Sequence, residues 1–207
     1  IKMKILKINP NNPDSQTIDE AVKVLKDGGV IVYPSDTCYA LGADMTNIFG
    51  IDKIYKIKGR ESGKPISVIV KSVQKIKKMS LVEDHQENFI RKYLPGPLTV
   101  VLLNTDYTNF EHISIGIRIP KYKITQLIAE RLDMPYATTS ANLTGQKPCY
   151  NITRLLYQFK QNTFNPDLIL DAGKLEERLP STVVDLIHRP FQILRQGALK
   201  IDDIEKY

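Results

Sequence analysis

Apolar residues along this chain alternate between two spacings. Short runs of adjacent or every-second apolar positions mark strands, and i, i+3, i+4 recurrence marks amphipathic helices. Met3–Ile8 reads as a first strand and Asn9–Pro13 as a turn. Ile18, Ala21, Val22 and Leu25 form one helix face, with a capping box expected at Thr17–Glu20 and a stop at Gly28-Gly29. Val30–Tyr33 is a short buried strand stopped by Pro34. Asn47 caps a helix through Ile57 that turns Ile51, Ile54 and Tyr55 inward. Lys58 comes seven residues after Ile51 and therefore leaves that helix on its buried face. Pro65–Val70 is a strand, Glu83–Leu94 a helix closed by Pro95-Gly96-Pro97, and Leu98–Leu103 a core strand. Ile113–Ile119 alternates strictly, with isoleucines on one face and Ser114, Gly116 and Arg118 on the other. Ile124, Leu127, Ile128 and Leu132 mark a further helix; Tyr136–Thr139, Leu168–Leu170, Thr182–Ile187 and Phe191–Leu194 mark further strands. No repeat or linker divides the 207 residues. The expected architecture is one α/β domain, residues 1–207, with a mixed, twisted sheet.

Composition narrows the class. A chain of this length buries roughly 70% of its unfolded surface, so no covalent staples are needed. Two cysteines, Cys38 and Cys149, make no disulfide framework and fit a reducing compartment. No apolar run approaches the ~18 residues that span a bilayer, and the lysine-rich start is too short for a secretory signal. A cytoplasmic protein without membrane contact is expected. The net charge of +6 favours anionic partners such as nucleotides or RNA.

Candidate chemistry gathers where strands end. Lys58, Arg60 and Lys64 place three cations within seven residues, between a helix and a strand. Such a loop suits an anion, and its spacing suits phosphates, although charged loops are also commonly just solvated. Pro34-Ser35-Asp36-Thr37-Cys38 follows a strand with two hydroxyls and a carboxylate; a self-satisfied turn reads the same way. Ser114 and Arg118 share a strand face about 13 Å apart, with Gly116 between them to admit a ligand or simply to face solvent. Thr138–Gly145 brings hydroxyls and Asn142, whose amide both donates and accepts. Ser181-Thr182-Val183-Val184-Asp185 and Leu194-Arg195-Gln196-Gly197 complete the set; Arg195 can fork to phosphate or carboxylate. His85, His112 and His188 show no metal-ligand spacing and are expected on the surface or in loops; no protein-ligated metal is expected. Neither a Gly-x-Ser-x-Gly elbow nor a Walker loop is present.

Taken in order, these segments resemble the YrdC-like family, the threonylcarbamoyl-AMP synthases, in its single-domain form. The resemblance rests on Tyr33–Gly42, Lys58-Gly59-Arg60, Lys64–Ser67, Leu94–Thr99, Ile117–Pro120, Thr139–Asn142, Ser181–Asp185 and Leu194–Gly197, and runs from about residue 15 to 200. It implies a twisted, mixed, mostly β open sheet flanked by helices around a positively charged concave site. It also implies a nucleotidyltransferase reaction. L-threonine, bicarbonate and ATP with Mg²⁺ would give threonylcarbamoyl-adenylate and pyrophosphate, for a tRNA adenosine modification completed by a separate transferase complex.

By position, the resemblance assigns L-threonine to Ser35, Ser67, Arg118, Ser140 and Ser181, with Arg118 on the carboxylate. It assigns ATP to Lys58, Ser62, Ser114, Asn142, Tyr150 and Arg195, and makes Lys58 and Arg60 the catalytic cations. Ser35 stands where the family usually has Thr, Cys38 and Ala40 replace an aliphatic residue and Gly, and Tyr150 stands where a small hydroxyl residue is common. Two other readings stay open. One is a non-catalytic RNA-binding module, for which the chain has no Trp and only scattered tyrosines to stack on bases. The other is a related carbamoyl-adenylate enzyme with a different acceptor. Direct tRNA or RNA contact is expected to be weak.

Overall fold

The computed structural model describes residues 3–105, 113–160 and 162–202. Along the chain the elements are β1 (Lys4–Lys7), α1 (Ser15–Lys26), β2 (Val30–Pro34), β3 (Tyr39–Asp44), α2 (Ile48–Lys58), β4 (Ser67–Ile69), α3 (Val73–Met79) and α4 (Asp84–Tyr93). They continue as β5 (Leu98–Leu103), β6 (Ser114–Arg118), α5 (Lys123–Leu132), β7 (Tyr136–Ser140), α6 (Ile152–Phe159), β8 (Leu168–Asp171), β9 (Thr182–Asp185) and β10 (Gln192–Arg195). The strands form one mixed sheet in the order β1-β8-β2-β3-β7-β4-β6-β5-β9-β10. Among the described residues no helix is long and apolar enough to cross a membrane.

Two-residue alternation decides what each sheet face carries. Val30, Val32, Leu41, Val68, Val100, Ile117 and Ala137 join the larger core cluster, together with Ile54 and Ile57 of α2, Phe89 and Ile90 of α4, and Leu155 and Phe159 of α6. Ile31, Tyr33, Leu168 and Leu170 point the other way and pack with Ile18, Leu25, Ile124 and Ile128 of α1 and α5. Those two helices contact β2, β3 and β8. Farther along that second face, the alternates of the core residues are Ser67, Thr99, Arg118 and Thr138. The register brings them together: Ser67 pairs with Thr138, and Ile69 with Arg118.

Several local expectations are revised. Helix α1 starts earlier than the expected capping box: Asp14 caps it by accepting from the Thr17 amide at 2.8 Å, so Thr17 lies inside the first turn. The cap of α2 is Asn47 as expected, and its Gly59 C-cap is left-handed at φ 57°. A capping box does exist at α4, between Glu83 and Gln86. The pattern did not announce β3, α3 or α6. Strand β3 is buried along its whole length and contains Gly42, over which the Tyr33 ring packs so closely that a Cβ would lie 2.8 Å from it. Helix α3 is short and lysine-rich, and takes its start from the Ser72 side chain. Both cysteines are free and buried. His85 is not a loop residue: it lies on α4 and stacks on Phe191. His188 pairs with Asp185 at 2.8 Å, and His112 lies outside the described residues.

Candidate active site

A cavity of about 440 Å³ opens on the second sheet face where the helices α1 and α5 leave off. Its wall is a row of hydroxyls from Ser35, Thr37, Ser67, Thr99, Thr138, Thr139, Ser140 and Ser181. All but Thr138, at the centre of β7, come from a strand end or a turn beside one. After β2, Ser35 donates to the Cys38 carbonyl at 2.7 Å and closes a tight turn into β3. Thr99 of β5 and Ser181, just before β9, share a hydrogen bond at 2.9 Å. Gly116 has a local reason here. A Cβ on it would sit 3.0 Å from Ser67 Oγ and 3.3 Å from Thr99 Cγ2, so the close approach it permits is that of these two side chains.

Four arginines line the cavity, Arg60, Arg118, Arg178 and Arg195, and no carboxylate does, among the described residues. Arg118 is 8% exposed and donates from Nη2 to Asp36 Oδ1 at 2.8 Å. The guanidinium has five N–H donors, so one is committed. Asp36 Oδ2 and Arg118 Nε are buried without partners. Arg195 holds the Ser181 carbonyl at 2.9 and 3.1 Å. Burial, and then the like charge of Arg118, depress its pKa. An anion seated between these two arginines would relieve that repulsion. The Arg195 loop is clamped to β9: a Cβ on Gly197 would fall 2.2 Å from the Pro180 carbonyl oxygen, which only glycine avoids.

Lys58 lies behind the wall rather than on it. It is 5% exposed, and its ammonium donates to the Ser140 and Asn142 carbonyls at 2.6 and 3.0 Å. Burial, followed by the neighbouring charge of Arg60, lowers its pKa to about 8. Lys58 thus organises the turn after β7, and its own carbonyl accepts from Thr144 N at 2.9 Å. Asn142 spends its amide on the Leu143 and Gln146 carbonyls at 2.8 and 2.7 Å. Its buried Oδ1 has no partner.

The structure therefore gathers all five threonine-side positions, Ser35, Ser67, Arg118, Ser140 and Ser181, in one cavity. Of the ATP-side positions, Tyr150 and Arg195 line it; Lys58 and Asn142 sit behind it. Ser62 is exposed in the turn after α2, and Ser114 is half-buried at the far end of β6; neither lines the cavity. Tyr150 contributes its side chain to the wall while its hydroxyl donates to the Arg178 carbonyl at 3.2 Å. No role for Thr99 or Arg178 is legible in the sequence. Thr99 lay inside a recognised segment, whereas Arg178 carried no signal except its place just before Pro180-Ser181.

The profile of the Sua5/YciO/YrdC family, described as telomere recombination, matches residues 23–197. This chain belongs to that family. It is 30% identical over 212 residues to a Methanocaldococcus jannaschii protein provisionally named threonylcarbamoyl-AMP synthase, covering 100% of this chain and 99% of that one. It is 32% identical over 195 residues to the human threonylcarbamoyl-AMP synthase, covering 88% of this chain and 68% of that one. Among solved structures, Pyrococcus abyssi Sua5 complexed with L-threonine superposes with a TM-score of 0.87 at 25% identity, covering 98% of this chain and 60% of that longer one. Escherichia coli YciO superposes with a TM-score of 0.84 at 27% identity, covering 95% and 96%.

Proposed function

We propose that this protein is an L-threonylcarbamoyladenylate synthase. The observation that carries the reading is one cavity lined by four arginines and eight serine and threonine side chains, with no lining carboxylate among the described residues. A small hydroxylated amino acid and a polyphosphate are the ligands such a lining suits. Relatives named threonylcarbamoyl-AMP synthase and a relative complexed with L-threonine support the same reading.

In this reading the threonine carboxylate pairs with Arg118, a charge-assisted contact, and Ser35, Ser67, Ser140 and Ser181 surround the amino acid. Its amine joins the carbon of bicarbonate with loss of water. The resulting carbamate oxygen attacks the α-phosphorus of ATP, and the bond to pyrophosphate breaks. Charge accumulates on oxygens throughout, so the protein's part is positioning and preorganised cations. Arg60 and Arg195 face that charge directly; Lys58 supports it from behind the wall. Asn142 shapes the turn beside them. Ser62 and Ser114, placed outside the cavity here, would reach the nucleotide only at its periphery.

Mg²⁺ arriving with the nucleotide would offset the charge of its phosphates. Among the described residues no three His, Cys, Asp or Glu side chains group to hold a metal. This ion commonly keeps several waters and binds through substrate phosphates, so phosphate oxygens and water are the ligands expected for it. The product would pass to a separate transferase complex acting on tRNA.

The test is pyrophosphate release from ATP. It should require L-threonine, bicarbonate and Mg²⁺ together, and equal release with glycine or with no amino acid would overturn the assignment. Direct tRNA binding should be weak and steeply salt-sensitive. Tight, salt-resistant tRNA binding without pyrophosphate release would instead favour an RNA-binding module. Arg60→Ala should lower turnover at least about tenfold, the scale of one charged hydrogen bond. Arg60→Lys should rescue only partly, since lysine lacks the guanidinium fork. Lys56→Ala should be nearly silent, because Lys56 is an exposed helix residue paired with Asp52. Turnover and thermal midpoints across the three variants decide this.

A further inference from the structure

The segment between β8 and β9 lines the cavity at Arg178, Pro180 and Ser181 and is pinned from several sides. Gly173 turns it with a left-handed φ of 79°. The Leu175 amide donates to the Tyr150 carbonyl at 2.7 Å, and the Tyr150 hydroxyl reaches back to the Arg178 carbonyl at 3.2 Å. At its end the Pro180 carbonyl accepts from Ala198 N at 2.9 Å. The backbone of Arg178 is therefore held at a fixed place on the rim, while its side chain lines the cavity and is still 56% exposed.

The side chain's present partner is Glu176, two residues away and 73% exposed. Both contacts, from Nε at 3.1 Å and Nη2 at 2.6 Å, fall on the single oxygen Oε2. An ion pair this exposed is cheap to break. A guanidinium binds two phosphate oxygens side by side better than it binds one carboxylate oxygen. The interior of the cavity is already served by Arg118 and its hydroxyl neighbours, so an anion meeting Arg178 must extend outward to the mouth. The terminal phosphates of a nucleoside triphosphate do so; the carboxylate of a small amino acid buried at Arg118 does not.

We infer that Arg178 is a phosphate clamp at the cavity mouth. It leaves Glu176 when a nucleoside triphosphate enters and takes the β- and γ-phosphates, which later depart as pyrophosphate. Glu176 holds the arginine in reserve and competes with the ligand. This rests on the synthase reading for the identity of the ligand.

Calorimetric titration of the full chain with ATP, pyrophosphate and AMP, each with Mg²⁺, tests it in wild type, Arg178→Ala and Glu176→Gln. Arg178→Ala should bind ATP and pyrophosphate about tenfold more weakly and leave AMP and L-threonine affinities within about twofold, one guanidinium contact being lost. Glu176→Gln should bind ATP equally or a few-fold more tightly, its competing charge being gone. Equal ATP affinity in wild type and Arg178→Ala would overturn the clamp alone. An equal loss for AMP would also overturn it, by placing the arginine on the α-phosphate or the nucleoside. Wild type that binds neither ATP nor pyrophosphate would overturn the synthase reading and the clamp together.

Discussion

Arg118→Ala should reduce threonine-dependent pyrophosphate release by at least about 100-fold, the scale of one preorganised charged contact. The residue is 8% exposed, lines the cavity and carries its charge against Asp36. Truncation also leaves the Asp36 carboxylate buried without a counter-charge. Breaking such a pair by removing one partner costs about 3–5 kcal/mol, which lowers the thermal midpoint by on the order of 10 °C in a chain of this size. Loss of activity and loss of fold must therefore be separated. The double variant Asp36→Ala, Arg118→Ala removes both charges and should regain much of the lost midpoint while regaining no activity. Arg118→Lys keeps the charge but not the fork and should remain at least about tenfold impaired, mostly in the KM for threonine. Turnover in Arg118→Ala within about threefold of wild type would show that the cavity arginine does not meet the substrate.

The second large effect is a pH dependence set by Lys58. Its folded-state pKa of about 8 lies below the ordinary 10.5, chiefly through burial and then through Arg60. The folded protein thus gives up this proton before the unfolded chain does. Below about pH 8 both states carry it, and the full cost of burying the ammonium is present. Between about 8 and 10.5 the unfolded chain still binds the proton, so the contribution of Lys58 to stability improves as pH rises through that window. Activity should move the opposite way, since the neutral amine no longer supports the anionic intermediate. A fall in kcat/KM above about pH 8 is expected. In kcat the limb should shift upward, because bound phosphates favour the ammonium. Lys58→Met should lose at least about tenfold at pH 7 and show no such limb. A wild-type profile flat from pH 7 to 9.5, or the same limb in Lys58→Met, would remove Lys58 from the chemistry.

Much of the site was legible before any tertiary structure. The seven-residue step from Ile51 puts Lys58 on the buried face of α2, and the structure buries it. Its destination was not legible. Spacing suggested an anion, whereas the ammonium meets two carbonyls of the turn after β7, more than eighty residues away in sequence. Ser140 and Ser181 are visible as hydroxyls at strand ends and Ser67 only through the family resemblance, but their meeting depends on a strand order in which β4 and β7 pair across most of the intervening chain. The unannounced elements have local causes as well. Strand β3 has no polar alternation because both its faces are covered, and α3 is too short and too charged to show a clear period.

The chain by itself determined the alternation that puts hydroxyls and Arg118 opposite the apolar core, the glycines where backbone or side chains crowd, and the ordered segments that mark the family. These depend on neighbours a few residues apart, so periodicity and turn chemistry encode them directly. Tertiary structure alone decided that Asp36 claims one donor of Arg118 across 82 residues, that Asn142 spends its amide inside its own loop, and that Arg178 stands at the mouth of the cavity. Those outcomes follow from strand register and loop anchoring, which bring distant groups within hydrogen-bond reach and leave no periodic trace in the sequence.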